Sequence, residues 1–586
     1  MTVIGGDLRA QAERWIAGDP DERDRAELRG LLDDGGEAAA AELADRFGAR
    51  LEFGTAGLRG AIGAGPNRMN RAVVRAATAA LARWLAEHGG PDAAQAGVVI
   101  GCDARHRSGE FADEAARVLA GAGIRAHLLP AQQPTPLLAF SVRHLRAAAG
   151  IMITASHNPP ADNGYKLYLG DGAQIIPPVD KQIGAAIAAL GDLSEVPVAP
   201  ADSPVIRRLG DETAQAYLDA IVAAVPGPGN SSGLRVVYTP LHGVAAGLAL
   251  RAFERAGFPP PHVVAAQAEP DPAFPTVAFP NPEEPGALDL ALALAEETGA
   301  DLVVANDPDG DRLAIAVPDP AAPGGWRALS GDQVGALLGA YLLEHDPGPD
   351  PAARLAATTV VSSTMLSKIA AAAGARYAET LTGFKWIVRA ADGVPGARFV
   401  FGYEEALGYA VSPAVRDKDG ISAALVLLSL AATARAAGQS LLDRWDALEA
   451  AHGVHLTTQV TLPTRAPAQA MAGLRARPPA GLADLPVTGV TDLGRGGGVG
   501  ASTVTGTGGL PPSDVLTYHL PGARVVIRPS GTEPKLKAYL EVTEPVGGRP
   551  LDGARAAAAA RLAPLRDAVA MLVRSAEAGA GAGSSS

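Results

Sequence analysis

The sequence predicts an α/β protein of several domains that closes on a smaller α+β domain, and three observations lead there. Short apolar, β-rich runs alternate with Ala/Leu-rich helical stretches along most of the chain, the pattern of stacked α/β layers. At 586 residues, 47% of them hydrophobic, the chain can bury several cores and exceeds the span of one. From about residue 455 the alternation gives way to the strand-like runs "HLTTQVTLPT", "ARVVIRPS" and "LKAYLEV", a Gly-rich patch, "DLGRGGGVGASTVTGTGG", and a terminal helix.

Taken in order, the first fifty residues look helical, with Asp and Gly at the ends of the segments. The runs "AGVVIGCD", "AAAGIMITAS", "LRVVYTPL", "ADLVVAND", "ATTVVSST" and "ARFVFGYEEA" read as buried strands that end in loops. Pro/Gly-rich stretches interrupt the pattern, and "AAVPGPGNSSG" and "PDPAAPGGW" are candidate domain boundaries. The end, "SAEAGAGAGSSS", has too little to bury and reads as a disordered tail.

Asp and Glu number 63 against 50 Lys and Arg, a formal charge of -13. The overall field therefore repels nucleic-acid backbones and anionic membranes, and an anionic substrate must meet a local cluster of positive charge. The one cysteine, Cys102, excludes an internal disulfide framework and a thiolate-rich metal site, which fits a reducing, cytoplasmic setting. No basic leader precedes an apolar run, and "ISAALVLLSLAATA" is too short to span a bilayer, so neither export nor membrane insertion is expected.

Four stretches carry chemistry. In "TASHNPPADNGYKLY", residues 154 to 168, Ser156 beside His157 suggests a hydrolase nucleophile with its base next door. Neighbouring side chains on an extended segment point to opposite sides, however, so His157 reads better as a group that orients the loop. In "NDPDGDR", Asp307, Asp309 and Asp311 crowd one loop after an apolar run. Their mutual repulsion is relieved by a hard divalent cation such as Mg²⁺, whereas an EF-hand would need glycine at Arg312 and glutamate at Pro318. Three carboxylates underfill an octahedral shell and leave room for a phosphate oxygen, which a phosphorylated Ser156 would supply.

"RPSGTEPK" places Arg528, Ser530, Gly531 and Thr532 after a strand, with Lys535 close behind. Amides, hydroxyls and a guanidinium make a phosphate clamp, and an ordinary Ser-Gly turn is the other reading. "GYEEALGY" sets Glu404 beside Glu405. Paired carboxylates can grip sugar hydroxyls, or they can simply favour the N-terminal end of a helix. Each loop follows a strand, where open α/β sheets place ligands, and one shared cleft is the economical expectation.

In their order, "TASHNPP", "DPDGDR", "GYEE" and "RPSGTEPK" resemble the four active-site loops of the α-D-phosphohexomutase superfamily, the phosphoglucomutases and phosphomannomutases. "FGTAGLRG", "GCDARHRSGEFA", "YTPLHGVA" and "TLTGFKWI" extend the likeness from about residue 50 to 545. The resemblance implies four domains around a central cleft, three α/β with mixed sheets and a smaller C-terminal α+β domain. The boundaries that follow are 1–228 for an N-terminal helical extension with the phosphoserine domain, 229–325 for the metal-loop domain, 326–454 for the sugar-loop domain, 455–575 for the phosphate-loop domain and 576–586 for the tail.

The implied reaction exchanges a phosphoryl group between the 1- and 6-hydroxyls of a hexose through a phosphoserine and a hexose 1,6-bisphosphate, which also serves as activator. Ser156 matches the phosphoserine. Asp307, Asp309 and Asp311 would hold Mg²⁺ against it, with Arg59 and Arg312 near the transferring phosphate. Lys166 matches the lysine that follows the phosphoserine, and cationic neighbours such as Arg59 would lower its pKa toward that of a base. Lys385, Lys418, Glu404 and Glu405 would face the sugar, and Arg528, Ser530, Gly531 and Thr532 the nonreacting phosphate.

Simpler bacterial phosphomannomutases carry "GEMSGH" at the sugar loop, so "GYEEALGY", with Tyr403 in place of their glycine, departs from them. It looks closer to the branch with phosphopentomutases and some bacterial phosphoglucomutases. Glucose phosphate is the favoured substrate, with mannose and pentose phosphates next, for a monomer or homodimer without nucleic-acid or membrane partners. Readings of another class are a serine-dependent sugar phosphatase and a noncatalytic phosphosugar sensor.

Overall fold

The computed structural model describes residues 4–226, 233–464, 466–495, 511–530 and 535–581. Two compact units make up the chain: Met1–Ala328 with Ser412–Leu428, and Leu329–Val411 with Ser429–Ser586.

The first unit opens with three helices, Gly6–Gly18, Glu22–Asp34 and Glu37–Gly48. Their spacing of apolar residues buries Ala12, Leu28, Leu32 and Leu43 in one small core. Asp21 caps the second helix by accepting from the Arg23 amide.

A six-stranded mixed sheet follows, in the order Leu58–Ala61, Asp162–Leu169, Ala149–Ile153, Val98–Cys102, Ala126–Leu128 and Ile206–Arg208. Its last four strands run parallel and the first two pair antiparallel. The central strands are buried along their whole length, which is why they read as continuous apolar runs rather than alternating ones. A second mixed sheet of five strands centres on Leu302–Asn306, parallel to Val236–Thr239 and antiparallel to Leu313–Pro318.

In the second unit, Arg376–Thr380, Arg354–Thr359, Arg398–Glu404 and Gly408–Ala410 form a third mixed sheet. The last sheet is antiparallel throughout: Val454–Pro463, Lys535–Glu544, Ala523–Pro529, Leu516–Leu520 and Gly489–Asp492. Two helices, Pro467–Ala476 and Leu551–Gly581, cover one of its faces. Three α/β domains with mixed sheets and one smaller α+β domain are therefore present.

Two boundaries differ from the sequence expectation. Ser412–Leu428 lies inside the expected third domain but packs with the first unit, because Asp417, Lys418 and Asp419 find partners there in Tyr168, Asp311 and Tyr217. The final helix continues through Gly581, so residues 576–581 of the expected tail are helical, anchored by Val573 and Ala576 in the core. Residues 582–586 and most of the Gly-rich patch lie outside the described residues. Among the described residues no single helix is long and apolar enough to cross a membrane.

The aspartate loop is clamped onto its own sheet by close backbone packing. Val244 donates its amide to Pro308 O at 2.8 Å, and a Cβ at Gly243 would stand 2.3 Å from the Pro308 Cα. Only glycine permits that approach. Gly243→Ala is expected to cost about 2 kcal/mol through forced displacement of the loop, read as a lowered thermal midpoint. An unchanged midpoint would contradict the clamp.

Candidate active site

The serine loop leaves the carboxyl end of the strand Ala149–Ile153 and returns as Asp162–Leu169. It is closed by the Ser156 amide, which donates to Thr154 Oγ1 at 2.9 Å, and by the Asn158 amide, which donates to Ala155 O at 3.1 Å. Buried Arg105 ties the loop down from beneath. Its Nη2 donates to Ser156 O and Asn158 O, both at 2.6 Å, and its Nη1 to Pro159 O at 2.8 Å and Asp162 O at 3.2 Å. A rigid planar fork of donors suits this collection of carbonyls, which a single ammonium could not gather. Asp103 at 3.5 Å and the Phe274 ring at 5.0 Å hold the guanidinium in turn.

Ser156 has φ +52°, a left-handed conformation uncommon outside glycine. The expectation that His157 points away from it fails for this reason, since the segment is not extended. His157 Nδ1 lies 3.3 Å from Ser156 Oγ. Burial, then the charges of Arg312 and Arg59, hold the imidazole well below its ordinary pKa and favour its neutral form.

Ser156 Oγ donates to Asp307 Oδ2 at 2.7 Å. Asp307, Asp309 and Asp311 are each 0% exposed, and one oxygen from each lies within 4.8 Å of the others. Thr135 Oγ1 donates to Asp309 Oδ2 at 2.6 Å, and the Arg312 amide to Asp307 Oδ1 at 2.9 Å. Burial, then repulsion from Asp309 and Asp311, pushes the Asp307 carboxyl well above its ordinary range. Asp309 Oδ1 and Asp311 Oδ1 are buried without a hydrogen-bond partner. Buried oxygens of this kind carry a desolvation cost that a hard divalent cation removes, so the three residues fit Mg²⁺.

Lys166 sits opposite Met152 in the strand register and sends Nζ to Asp309 Oδ2 at 2.7 Å and Asp311 Oδ2 at 3.1 Å. The sequence expectation of a lowered pKa is corrected here. Burial acts to lower it, but the two carboxylates outweigh burial and raise it. Lys418 joins the same group, with Nζ 3.1 Å from Asp311 Oδ2 and 3.3 Å from Asp417 Oδ1. Arg312 lies 3.8 Å from Asp311, and Arg59 donates to Asn158 Oδ1 at 3.0 Å. Nine expected site residues, Arg59, Ser156, His157, Lys166, the three aspartates, Arg312 and Lys418, thus lie in the first unit. Arg105, Thr135 and Asp417 join them; the sequence flagged none of the three for a role.

The second unit holds the remaining candidates. Glu404 ends the strand Arg398–Glu404. Glu405 accepts from Ser362 Oγ at 2.9 Å and Thr359 Oγ1 at 3.3 Å. Poor solvation, then the charges of Glu404 and Asp332, push the Glu405 carboxyl up to about 7. Tyr403, by contrast, is a core residue, fully buried with its hydroxyl on Asp332 Oδ1 at 3.0 Å. Burial, then the charge of Glu405, pushes the Tyr539 phenol up to about 12, with the charge of Arg528 acting against them. The Ser530 amide donates to Lys535 O at 2.9 Å, and Lys385 is half-buried on the short helix Phe384–Ile387. Gly531 and Thr532 lie outside the described residues.

Comparison with known proteins agrees with this geometry. The phosphoglucomutase/phosphomannomutase α/β/α domains I, II and III match residues 50–193, 215–322 and 330–448, and the C-terminal domain of that family matches 459–547. A Haemophilus influenzae protein named as a probable phosphomannomutase is 41% identical over 81% of this chain and 93% of its own. The human phosphopentomutase is 37% identical over 93% of both chains. The crystal structure of a Thermus thermophilus protein assigned as a phosphomannomutase superposes with a TM-score of 0.66 at 26% identity, over 90% of this chain and 99% of that one. The chain belongs to the phosphoglucomutase/phosphomannomutase family of the α-D-phosphohexomutase superfamily and is a phosphomutase, an isomerase that works by phosphoryl transfer.

Arg105→Lys keeps the charge but loses the planar fork. Loosening the serine loop by this route is expected to lower kcat about 100-fold, with the fold intact by circular dichroism. A kcat within a factor of two of the parent would remove Arg105 from the site.

Proposed function

We propose that the protein interconverts a hexose 1-phosphate and a hexose 6-phosphate, glucose phosphates foremost, through phosphorylated Ser156 and a hexose 1,6-bisphosphate that also primes the serine. The observation that carries this reading is the 2.7 Å contact of Ser156 Oγ with Asp307 inside the buried aspartate set. A hydroxyl poised to lose its proton to a base has no need of three buried carboxylates, whereas a phosphate carried on that oxygen does once a cation is present. Bound Mg²⁺ would neutralise the phosphoryl oxygens as a Lewis acid, held by Asp307, Asp309 and Asp311.

The chain's own groups supply the rest, since phosphoryl transfer is largely positioning and charge neutralisation. Arg105 and the Thr154 hydroxyl fix the carrier loop. Arg59 and Arg312 stabilise negative charge on the moving group. Lys166, an ammonium held by Asp309 and Asp311, offsets negative charge beside the attacking hydroxyl, and neutral His157 orients the serine. Glu404 and Glu405 accept from sugar hydroxyls, Lys385 and Lys418 face the substrate, and Arg528, Ser530, Gly531 and Thr532 hold the nonreacting phosphate. Similarity to the human phosphopentomutase over nearly the full length of both chains favours a second reading, in which a pentose phosphate is the substrate.

A coupled assay over glucose, mannose, glucosamine, ribose and deoxyribose 1-phosphates, with and without glucose 1,6-bisphosphate, decides among them. The highest kcat/KM is expected for glucose 1-phosphate, and a pentose phosphate in first place would establish the second reading. Chelation of divalent cations is expected to abolish turnover, and persistence would overturn the metal assignment. Ser156→Ala is expected to lower turnover by at least about 10⁴-fold. Sustained release of inorganic phosphate instead of isomerisation would make the protein a phosphatase, and binding without turnover a sensor.

A further inference from the structure

The last sheet carries a ladder of three rungs on one face. In the register of Ala523–Pro529 against Lys535–Glu544, Arg524 pairs with Glu541, Val526 with Tyr539 and Arg528 with Lys537. Residues two apart share a face, so an ion pair, an apolar rung and a pair of cations stack in that order. The opposite face, with Val525, Ile527, Leu536, Ala538 and Leu540, is committed to the helix-covered core.

The ladder face meets the segment 360–364 that follows the strand Arg354–Thr359. Val526 and Tyr539 pack on Val360, Val361 and Leu381. Below them Arg524 donates to Glu541 Oε2 at 2.8 Å, to Glu379 Oε1 at 3.3 Å and to the Ser362 carbonyl. Glu541 Oε1 accepts from Ser363 Oγ and the Thr364 amide, both at 2.8 Å, and is 2.9 Å from His455 Nδ1. Asp332 accepts from the Ser363 amide at 2.7 Å. The same segment turns Ser362 Oγ onto Glu405 at 2.9 Å. One ion pair, its glutamate buried and its arginine half-buried, thus seats the segment that touches the sugar-loop carboxylate, on the two strands that carry Arg528 and Lys537. Breaking such a pair by removing one charge leaves the other poorly solvated and uncompensated.

We propose that Arg524 and Glu541 are positioning residues that hold the Glu404–Glu405 loop in register with the Arg528–Lys537 rung, and so retain the bisphosphorylated sugar between its two phosphoryl transfers. This rests on the mutase reading given above. In the first transfer the bond from Ser156 Oγ to phosphorus breaks, a bond from phosphorus to the sugar hydroxyl oxygen forms, and the hydroxyl proton passes to the protein. The second transfer returns the other phosphoryl group to Ser156 and a proton to the sugar. If the bisphosphate leaves between the two, the serine stays unphosphorylated until bisphosphate from solution recharges it. Retention of the intermediate is therefore distinct from the chemistry at Ser156, and the ladder lies in the unit that does not hold Ser156.

The test uses the full chain, phosphorylated beforehand with glucose 1,6-bisphosphate, and compares the parent with Glu541→Gln and Arg524→Lys. Single-turnover transfer from Ser156 at saturating glucose 1-phosphate is expected to stay within about twofold. Bisphosphate released to solution per turnover, and the glucose 1,6-bisphosphate needed for half-maximal rate, are expected to rise about tenfold or more, because changes at such contacts act mainly on dissociation. Arg524→Lys keeps the charge, so it provides a folded variant should Glu541→Gln fail to melt cooperatively. A folded variant that releases no more bisphosphate than the parent, or loses single-turnover transfer in the same proportion, overturns the proposal. Absence of isomerisation by the parent itself would instead sink the mutase reading, and the proposal with it.

Discussion

Everything at the reactive end of this protein depends on keeping three carboxylates buried within reach of one another. Asp307, Asp309 and Asp311 have no exposure to water, and like charges at such distances oppose ionisation of the set. The surroundings are organised to offset that cost. Lys166 arrives from the first sheet and Lys418 from Ser412–Leu428, and both ammonium groups reach Asp311. Thr135 and the Arg312 amide occupy further oxygens, and Ser156 itself takes Asp307. Two oxygens are left over, which is the arrangement a hard cation completes. The excursion of Ser412–Leu428 into the first unit follows from the same requirement, since it delivers a cation that neither sheet supplies.

Two arginines, one in each unit, do comparable work without touching the reacting atoms. Arg105 gathers four carbonyls of the serine loop, and Arg524 joins Glu541 to the carbonyl side of the segment behind Glu405. Arg105 is buried and Arg524 half-buried, a guanidinium keeps its charge in either setting, and both direct donors to backbone. Loops that carry function lie at the surface, open to solvent on one side. A planar cation fastened underneath lets them stay ordered while presenting hydroxyls and amides outward.

Much of the fold was legible because the strands are buried on both faces and read as apolar runs. The aspartate loop was legible as a candidate metal site because three alternating aspartates at the end of such a run repel one another unless a cation joins them. What escaped the sequence was conformational or relational. A single left-handed residue at Ser156 reverses the relation between its side chain and that of His157, and no residue type announces it, since the usual occupant of that region is glycine. Lys166 was expected to lose basicity to neighbouring cations, yet its partners across 143 and 145 residues are carboxylates. Arg105 binds carbonyls, which every residue has, so its role leaves no pattern of side chains to find. The Ala- and Gly-rich end looked featureless from residue 576, but Val573 and Ala576 still face the core and the helix runs on past them.

The most direct measurement is the site and fate of one phosphoryl group. Incubation of the protein with glucose 1,6-bisphosphate and Mg²⁺, followed by mass spectrometry of its peptides, is expected to place a single phosphate on Ser156. Addition of glucose 1-phosphate should discharge it with formation of the bisphosphate, while the phosphoprotein alone stays stable over many turnovers. Phosphate on another residue, or a phosphoserine that loses its group to water as fast without sugar as with it, would contradict the assignment of Ser156 as the carrier.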